Sequence, residues 1–182
     1  KVEVEKDLAF AERFCPTHPM AGRELDGAEA AQSDLFVGKS WIITPLKETS
    51  SQSIAIVKEL IEKLGARVIA MNPEEHDQAV ATISHLPQLI SSLLAAQLMG
   101  KSPDHLALAG TGVLDTTRIA GSNSELWREI LNLNRDSLIP LLKDFHKDLS
   151  TLIDNYDVVD VLDRGRKGRQ SLPGTVLLEV IY

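Results

Sequence analysis

The spacing of apolar residues changes near residue 72. Before it, helical and extended patterns alternate along the chain. Val2 to Phe14 has helical spacing and leads into a short extended piece, Phe14-Cys15-Pro16-Thr17. Ser40 to Thr44 (SWIIT) is a continuous apolar run ended by Pro45, the pattern of a buried strand. Ser53 to Leu64 sets Ile54, Val57, Ile61 and Leu64 on one helical face, with Leu60 beside them. Gly65 is a stop signal for that helix, and Arg67 to Met71 (RVIAM) reads as another short strand. Strand, helix and strand with short links predict a parallel sheet covered by helices.

From Pro73 to about Gln170 the chain reads as almost wholly helical, interrupted at Pro87, Gly100 to Pro103 and Gly110 to Gly112. Leu138, Leu142, Phe145, Leu149 and Leu152 form a heptad-like stripe, widened by Ile139 and Ile153. Such a stripe is most often ordinary core packing, and its other use is burial against a second subunit. Thr175 to Tyr182 (TVLLEVIY) is β-rich and needs neighbouring strands to satisfy its backbone. The fold class expected is α/β over residues 1–72 and all-α over 73–173, with a separate strand at 174–182. Position 1 is Lys and both ends lack start or stop signals, so the chain is expected to be the middle of a longer one.

Composition narrows the function classes. Hydrophobic residues make up 43% and charged residues 25%, which excludes collagen-like, disordered and disulfide-scaffold classes. A formal charge of −7 with 4% aromatics argues against a basic face for nucleic acid. Cys15 is the only cysteine, which excludes an intrachain disulfide and a cysteine zinc site. The longest apolar stretch, Leu86 to Met99, is broken by Gln88, Ser91, Ser92 and Gln97, short of the roughly 20 residues a bilayer span needs. No membrane association is expected, and a reducing, cytoplasmic setting is.

Common catalytic motifs are absent. There is no G-x-G-x-x-G, no G-x-x-x-x-G-K-[ST], no G-x-S-x-G and no H-E-x-x-H. His76-Asp77 and His85 have no spacing suited to a metal, and the favoured reading of each alone is a polar helix residue. Thr17 to Gly27 (THPMAGRELDG) stands out as a loop after a β-like segment, where a parallel sheet sets its reactive groups. His18 can take a proton near neutral pH, Pro19 fixes the backbone after it, and Gly22 and Gly27 permit close approach.

Two further segments follow: Ser84-His85-Leu86-Pro87-Gln88, then Leu114 to Ala120 (LDTTRIA) with Ser124 to Arg128 (SELWR). Together with the HPMAG segment, FVGKSWIITP (36–45) and NPEEHD (72–77), they resemble in order the prephenate dehydrogenase family of tyrosine biosynthesis. The resemblance covers residues 1–173. It implies the C-terminal portion of a Rossmann-type dinucleotide-binding domain, then a helical dimerisation and substrate domain. It also implies oxidative decarboxylation of prephenate with hydride transfer to NAD or NADP, in a homodimer. His18 matches the family's catalytic histidine. Arg118 matches the arginine that holds the substrate ring carboxylate, a geometry suited to a guanidinium fork. Glu24 matches the acid that pairs with that arginine, and His85 a histidine near the substrate. Asp115 and Trp127 match positions that a neighbouring subunit contributes. Pro19, Met20 and Gly22 fall against the cofactor. Gln88 stands where the family often has a second histidine, which leaves arogenate as an alternative substrate.

Read without the resemblance, Arg118 can simply pair with Asp115 one helical turn away, and Trp127 can be plain core. The family's glycine fingerprint would precede Lys1, so a truncated dimerisation or regulatory module is the rival reading. A related β-hydroxyacid dehydrogenase fits less well, since no catalytic lysine motif is present. Arg164 to Arg169 (RGRKGR) with Leu172-Pro173 resembles the linker to a regulatory ACT domain, whose first strand would be Thr175 to Tyr182; a solvated basic helix end reads as well.

Overall fold

The computed structural model describes residues 10–21 and 31–173. The chain divides into two compact units, one up to Leu138 and one from Ile139. Of the helix expected over Val2 to Phe14, residues 1–9 lie outside the described part, and Ala11–Arg13 form a single 3-10 turn. The strand expected over Thr175 to Tyr182 also lies outside it.

The first unit is built on a three-stranded sheet of order β1 (Thr17–Pro19), β2 (Ser40–Ile43), β3 (Arg67–Ala70). β2 and β3 are parallel, with Ser40 opposite Arg67 and Ile43 opposite Ala70, as the strand–helix–strand pattern predicts. β1 departs from that expectation. It runs antiparallel to β2, and it places His18 on a strand instead of in a loop. Pro19 has no N–H to give to a ladder, so its strand belongs at an edge. An antiparallel edge strand on an otherwise parallel sheet is a common arrangement.

Helix α1 (Ser51–Lys63) starts where the Ser50 side chain accepts from the Ser53 N–H. It ends at Gly65, whose φ of +77° favours a residue without Cβ. Ile61 packs with Ile43 and Ala66 into the buried core on one sheet face, joined by Ile54, Val57 and Trp41. Leu60 and Leu64, expected on or beside that stripe, are exposed. Side chains alternate along a strand, so the opposite sheet face is left to Ile42 and, directly across from it in register, His18.

The next 24 residues, Pro73 to Ala96, are one continuous helical run. Helix α2 (Pro73–Val80) opens with a capping box in which Asn72 and Glu75 each bond the other's backbone N–H. A π-turn (Ala81–His85) follows, with the Leu86 N–H reaching back to the Ala81 carbonyl, and then α3 (Leu86–Ala96). Pro87 explains the wide turn: it lacks an N–H and its ring would strike the carbonyl four residues back. By length and mean hydropathy (1.3) this run is apolar enough to cross a bilayer, contrary to the sequence expectation. Its buried face nevertheless carries His76, His85, Gln88 and Ser91, and the first three bond to protein groups.

Beyond it come α4 (Pro103–Leu106), α5 (Thr111–Thr117), a 3-10 turn at Arg118–Gly121, and α6 (Ser124–Leu133), capped by Asn123. Helix α7 (Arg135–Asn155) begins in the first unit. The second unit holds the rest of α7 and helix α8 (Val158–Gln170), joined through Tyr156 at φ 51°. Arg164 of α8 bonds Asp160 on its own helix and Asp148 on α7. The α7 stripe is not core throughout: Leu138 is buried, but Phe145, Leu149 and Ile153 are 42%, 47% and 70% exposed. The basic run Arg164 to Arg169 forms the exposed last turns of α8.

Candidate active site

His18 Nδ1 lies 2.8 Å from His76 Nε2, and His76 Nδ1 lies 2.7 Å from Asp77 Oδ1. A carboxylate only accepts, so the His76 Nδ1–H donates to Asp77, and in the neutral ring its Nε2 is an acceptor. His18 Nδ1–H therefore donates to His76. In that arrangement the His18 proton of the relay sits on Nδ1. His76 is 5% exposed, which removes water as a competing partner.

His85 reaches the same region because of the π-turn. Nine residues at 3.6 per turn is about two and a half turns, so a regular helix would put His76 and His85 on opposite sides. One residue absorbed in the wide turn leaves about 2.2 turns, and both become buried together with Val80 and Gln88. Burial pushes the His85 imidazole below its ordinary 6.5, the Asp77 charge acting upward and His76 downward. The Asn134 amide nitrogen bonds both the Asp77 backbone carbonyl, at 2.7 Å, and His85 Nδ1, at 3.1 Å. The Trp127 ring stands edge-on to His85 at 6.1 Å.

Gln88 is also buried, and its amide nitrogen donates to the Ile119 carbonyl at 2.9 Å. That bond ties α3 to the 3-10 turn that Arg118 opens. Arg118 is exposed, as is Asp115 on α5. Met20, just past Pro19, borders a hollow of about 450 Å³ that Ala21, Gln32, Asp34, Leu35, Val37 and Lys39 also line. Glu24 and Gly22 lie outside the described residues.

Comparison with known proteins then decides the family. The profile described as "Prephenate dehydrogenase, nucleotide-binding domain" matches residues 1–70, and "Prephenate dehydrogenase, dimerization domain" matches residues 72–161. The chain belongs to the prephenate dehydrogenase family. It is 36% identical over 141 residues to cyclohexadienyl dehydrogenase of Zymomonas mobilis, covering 75% of this chain and 48% of that protein. A solved structure of prephenate dehydrogenase from A. aeolicus, in complex with hydroxyphenyl propionate and NAD+, superposes with a TM-score of 0.77 at 32% identity. That match covers 87% of this chain and 59% of the other. Synechocystis arogenate dehydrogenase superposes at 0.71, also at 32% identity, covering 86% of this chain and 60% of the other. The chain thus spans about half the length of the curated relative.

In this prephenate dehydrogenase family member, the structure brings His85, Gln88 and Trp127 into one neighbourhood, and a relay through His76, Asp77 and Asn134 links His18 to it. Three residues of that linkage, His76, Asp77 and Asn134, are not among the site residues expected from the sequence. His76 and Asp77 read in the sequence as polar helix residues, although a histidine followed by aspartate four residues past an Asn-Pro start is the available signal. Asn134 carries no motif at all.

Proposed function

We infer that this chain carries the substrate-side half of an NAD(P)⁺-dependent dehydrogenase that oxidatively decarboxylates prephenate to 4-hydroxyphenylpyruvate. The observation that supports it most is the relay, in which His18 meets the buried His76 and, through it, Asp77. In this reading His18 Nε2 takes the proton of the substrate's ring hydroxyl as the C–H pair of the same carbon departs as hydride. The ring carbon bearing the side chain then loses CO₂, because the released electrons complete an aromatic ring. A positioned base contributes about 10²–10⁴-fold to such a step. Arg118 would hold the ring carboxylate, with Glu24 as its partner. His85, Gln88 and Trp127, whose ring lies against His85 of its own chain, would bound the substrate, with Asp115 reaching a neighbouring subunit's site in a homodimer.

The nicotinamide dinucleotide supplies a hydride acceptor when bound. The hollow beside Met20 and Ala21, whose lining mixes the polar Gln32, Asp34 and Lys39 with the apolar Leu35 and Val37, would take the flat amide-bearing end of that group. Pro19, Met20 and Gly22 would border it. The sequence holds no glycine fingerprint for the pyrophosphate. We assign residues 1–72 to the nucleotide domain and 73–173 to the helical domain, with 174–182 as the start of a regulatory one.

Arogenate is the second reading, favoured by the Synechocystis relative and by Gln88, whose amide is committed to Ile119. The test is cofactor reduction by the full-length protein with prephenate and with arogenate, each with NAD⁺ and NADP⁺. Turnover of prephenate supports the first reading, turnover of arogenate alone the second. No turnover in any pairing supports a non-catalytic dimerisation module.

A further inference from the structure

We propose that Asn134 is a positioning residue that fixes His85 in the tautomer opposite to that of His18, so that one imidazole faces the substrate as a base and the other as a donor. The Asn134 side-chain atom that meets His85 Nδ1 also meets the Asp77 backbone carbonyl. A carbonyl oxygen cannot donate, so that atom is the amide nitrogen and not the amide oxygen. It has two hydrogens and no lone pair to accept with. One hydrogen serves Asp77, the other serves His85, and His85 Nδ1 must be the acceptor. A neutral imidazole has a single N–H, which for His85 then sits on Nε2.

Protonation of His85 at Nδ1 would set two donors against each other, and burial opposes the same charge. The titratable groups that act on His85 are Asp77 and His76 of α2, with opposite effects. Trp127 of α6 offers only an uncharged ring edge. His18 has the reverse arrangement where His76 is neutral, its Nδ1–H donating into the relay. Asp77 serves both histidines at once. Its side chain ends the His18–His76 relay, and its backbone carbonyl fixes the Asn134 amide. Two residues of the same type thereby acquire complementary roles from one aspartate. His85 Nε2–H can hold a substrate oxygen without carrying a charge, which keeps that contact constant into mildly acidic solution.

The catalytic use of the pair rests on the proposed function; the tautomer does not. The test is a two-bond ¹⁵N–¹H correlation spectrum of the full-length protein labelled with ¹⁵N-histidine, without substrate. His85 is assigned by the signal lost in His85→Gln. The wild-type spectrum is expected to show His85 as the Nε2–H tautomer, with its protonation midpoint below that of an ordinary histidine. Asn134→Asp puts an acceptor against Nδ1. It should move the proton to Nδ1 and raise the protonation midpoint by about 1 unit or more. In the active enzyme it should also carry the acid limb of kcat/KM upward. His85 found as Nδ1–H in the wild type overturns the proposal, and that spectrum decides even where the variant fails to fold. An unchanged tautomer and midpoint in a folded Asn134→Asp overturns it as well. The expected spectra with no turnover of either substrate would uphold the tautomer and reject the reaction.

Discussion

His76 holds no contact with a substrate in this account, yet the protonation state of the base depends on it. Removing its ring from His18 Nδ1 frees His18 to adopt the wrong tautomer. His76→Ala is expected to lower kcat by roughly 10-fold or more within the 10²–10⁴ range of a positioned base, with KM little changed. His76→Gln, whose amide oxygen can still accept, should recover part of the loss. Steady-state kinetics on both variants checks the pair. Arg118 should behave in the opposite way. Arg118→Ala, leaving a carboxylate without its partner, should raise KM by about 2–4 kcal/mol, or roughly 30-fold to 1,000-fold. A KM equal to that of the wild type would remove Arg118 from the substrate site. His18 and Arg118 stand in motifs that the sequence displays, HPMAG and TRIA, and in this account each would act on the substrate directly. His76 and Asn134 act through a neighbour, and no local pattern announces a bond made across 58 or 49 positions.

Elements explain why the relay forms at all. The Asn72–Glu75 capping box starts α2 at a fixed residue, which sets the angle at which His76 meets the sheet. Asn72→Ala is expected to cost about 1 kcal/mol in urea unfolding, as loss of an N-cap does. A cost near zero would mean that packing alone fixes the helix start. The strands Ser40–Ile43 and Arg67–Ala70 and the helix between them were readable, because apolar runs and a Gly stop leave strong local signals. The direction of β1 was not, since three residues with one proline carry no periodicity. The π-turn was equally hidden. A 3.6-residue period separates His76 from His85, and only the extra residue accommodated ahead of Pro87 brings them to one face.

For the whole molecule, the apolar stripe on α7 reads in the sequence as core packing most often, with burial against a second subunit as its other use. Phe145, Leu149 and Ile153 are instead exposed in the single chain, and the matched profile describes a dimerization domain. Leu149→Asp is therefore expected to convert a dimer to a monomer in sedimentation equilibrium. An unchanged dimer would place the interface elsewhere. The central claim is that the sheet, the capped helix and the relay exist to make His18 a base toward a cyclohexadienyl substrate. Steady-state cofactor reduction by full-length His18→Asn, beside the wild type on prephenate, tests it most directly. The account predicts kcat lower by about 10²–10⁴-fold with KM nearly unchanged. Turnover by His18→Asn at the wild-type rate would contradict it.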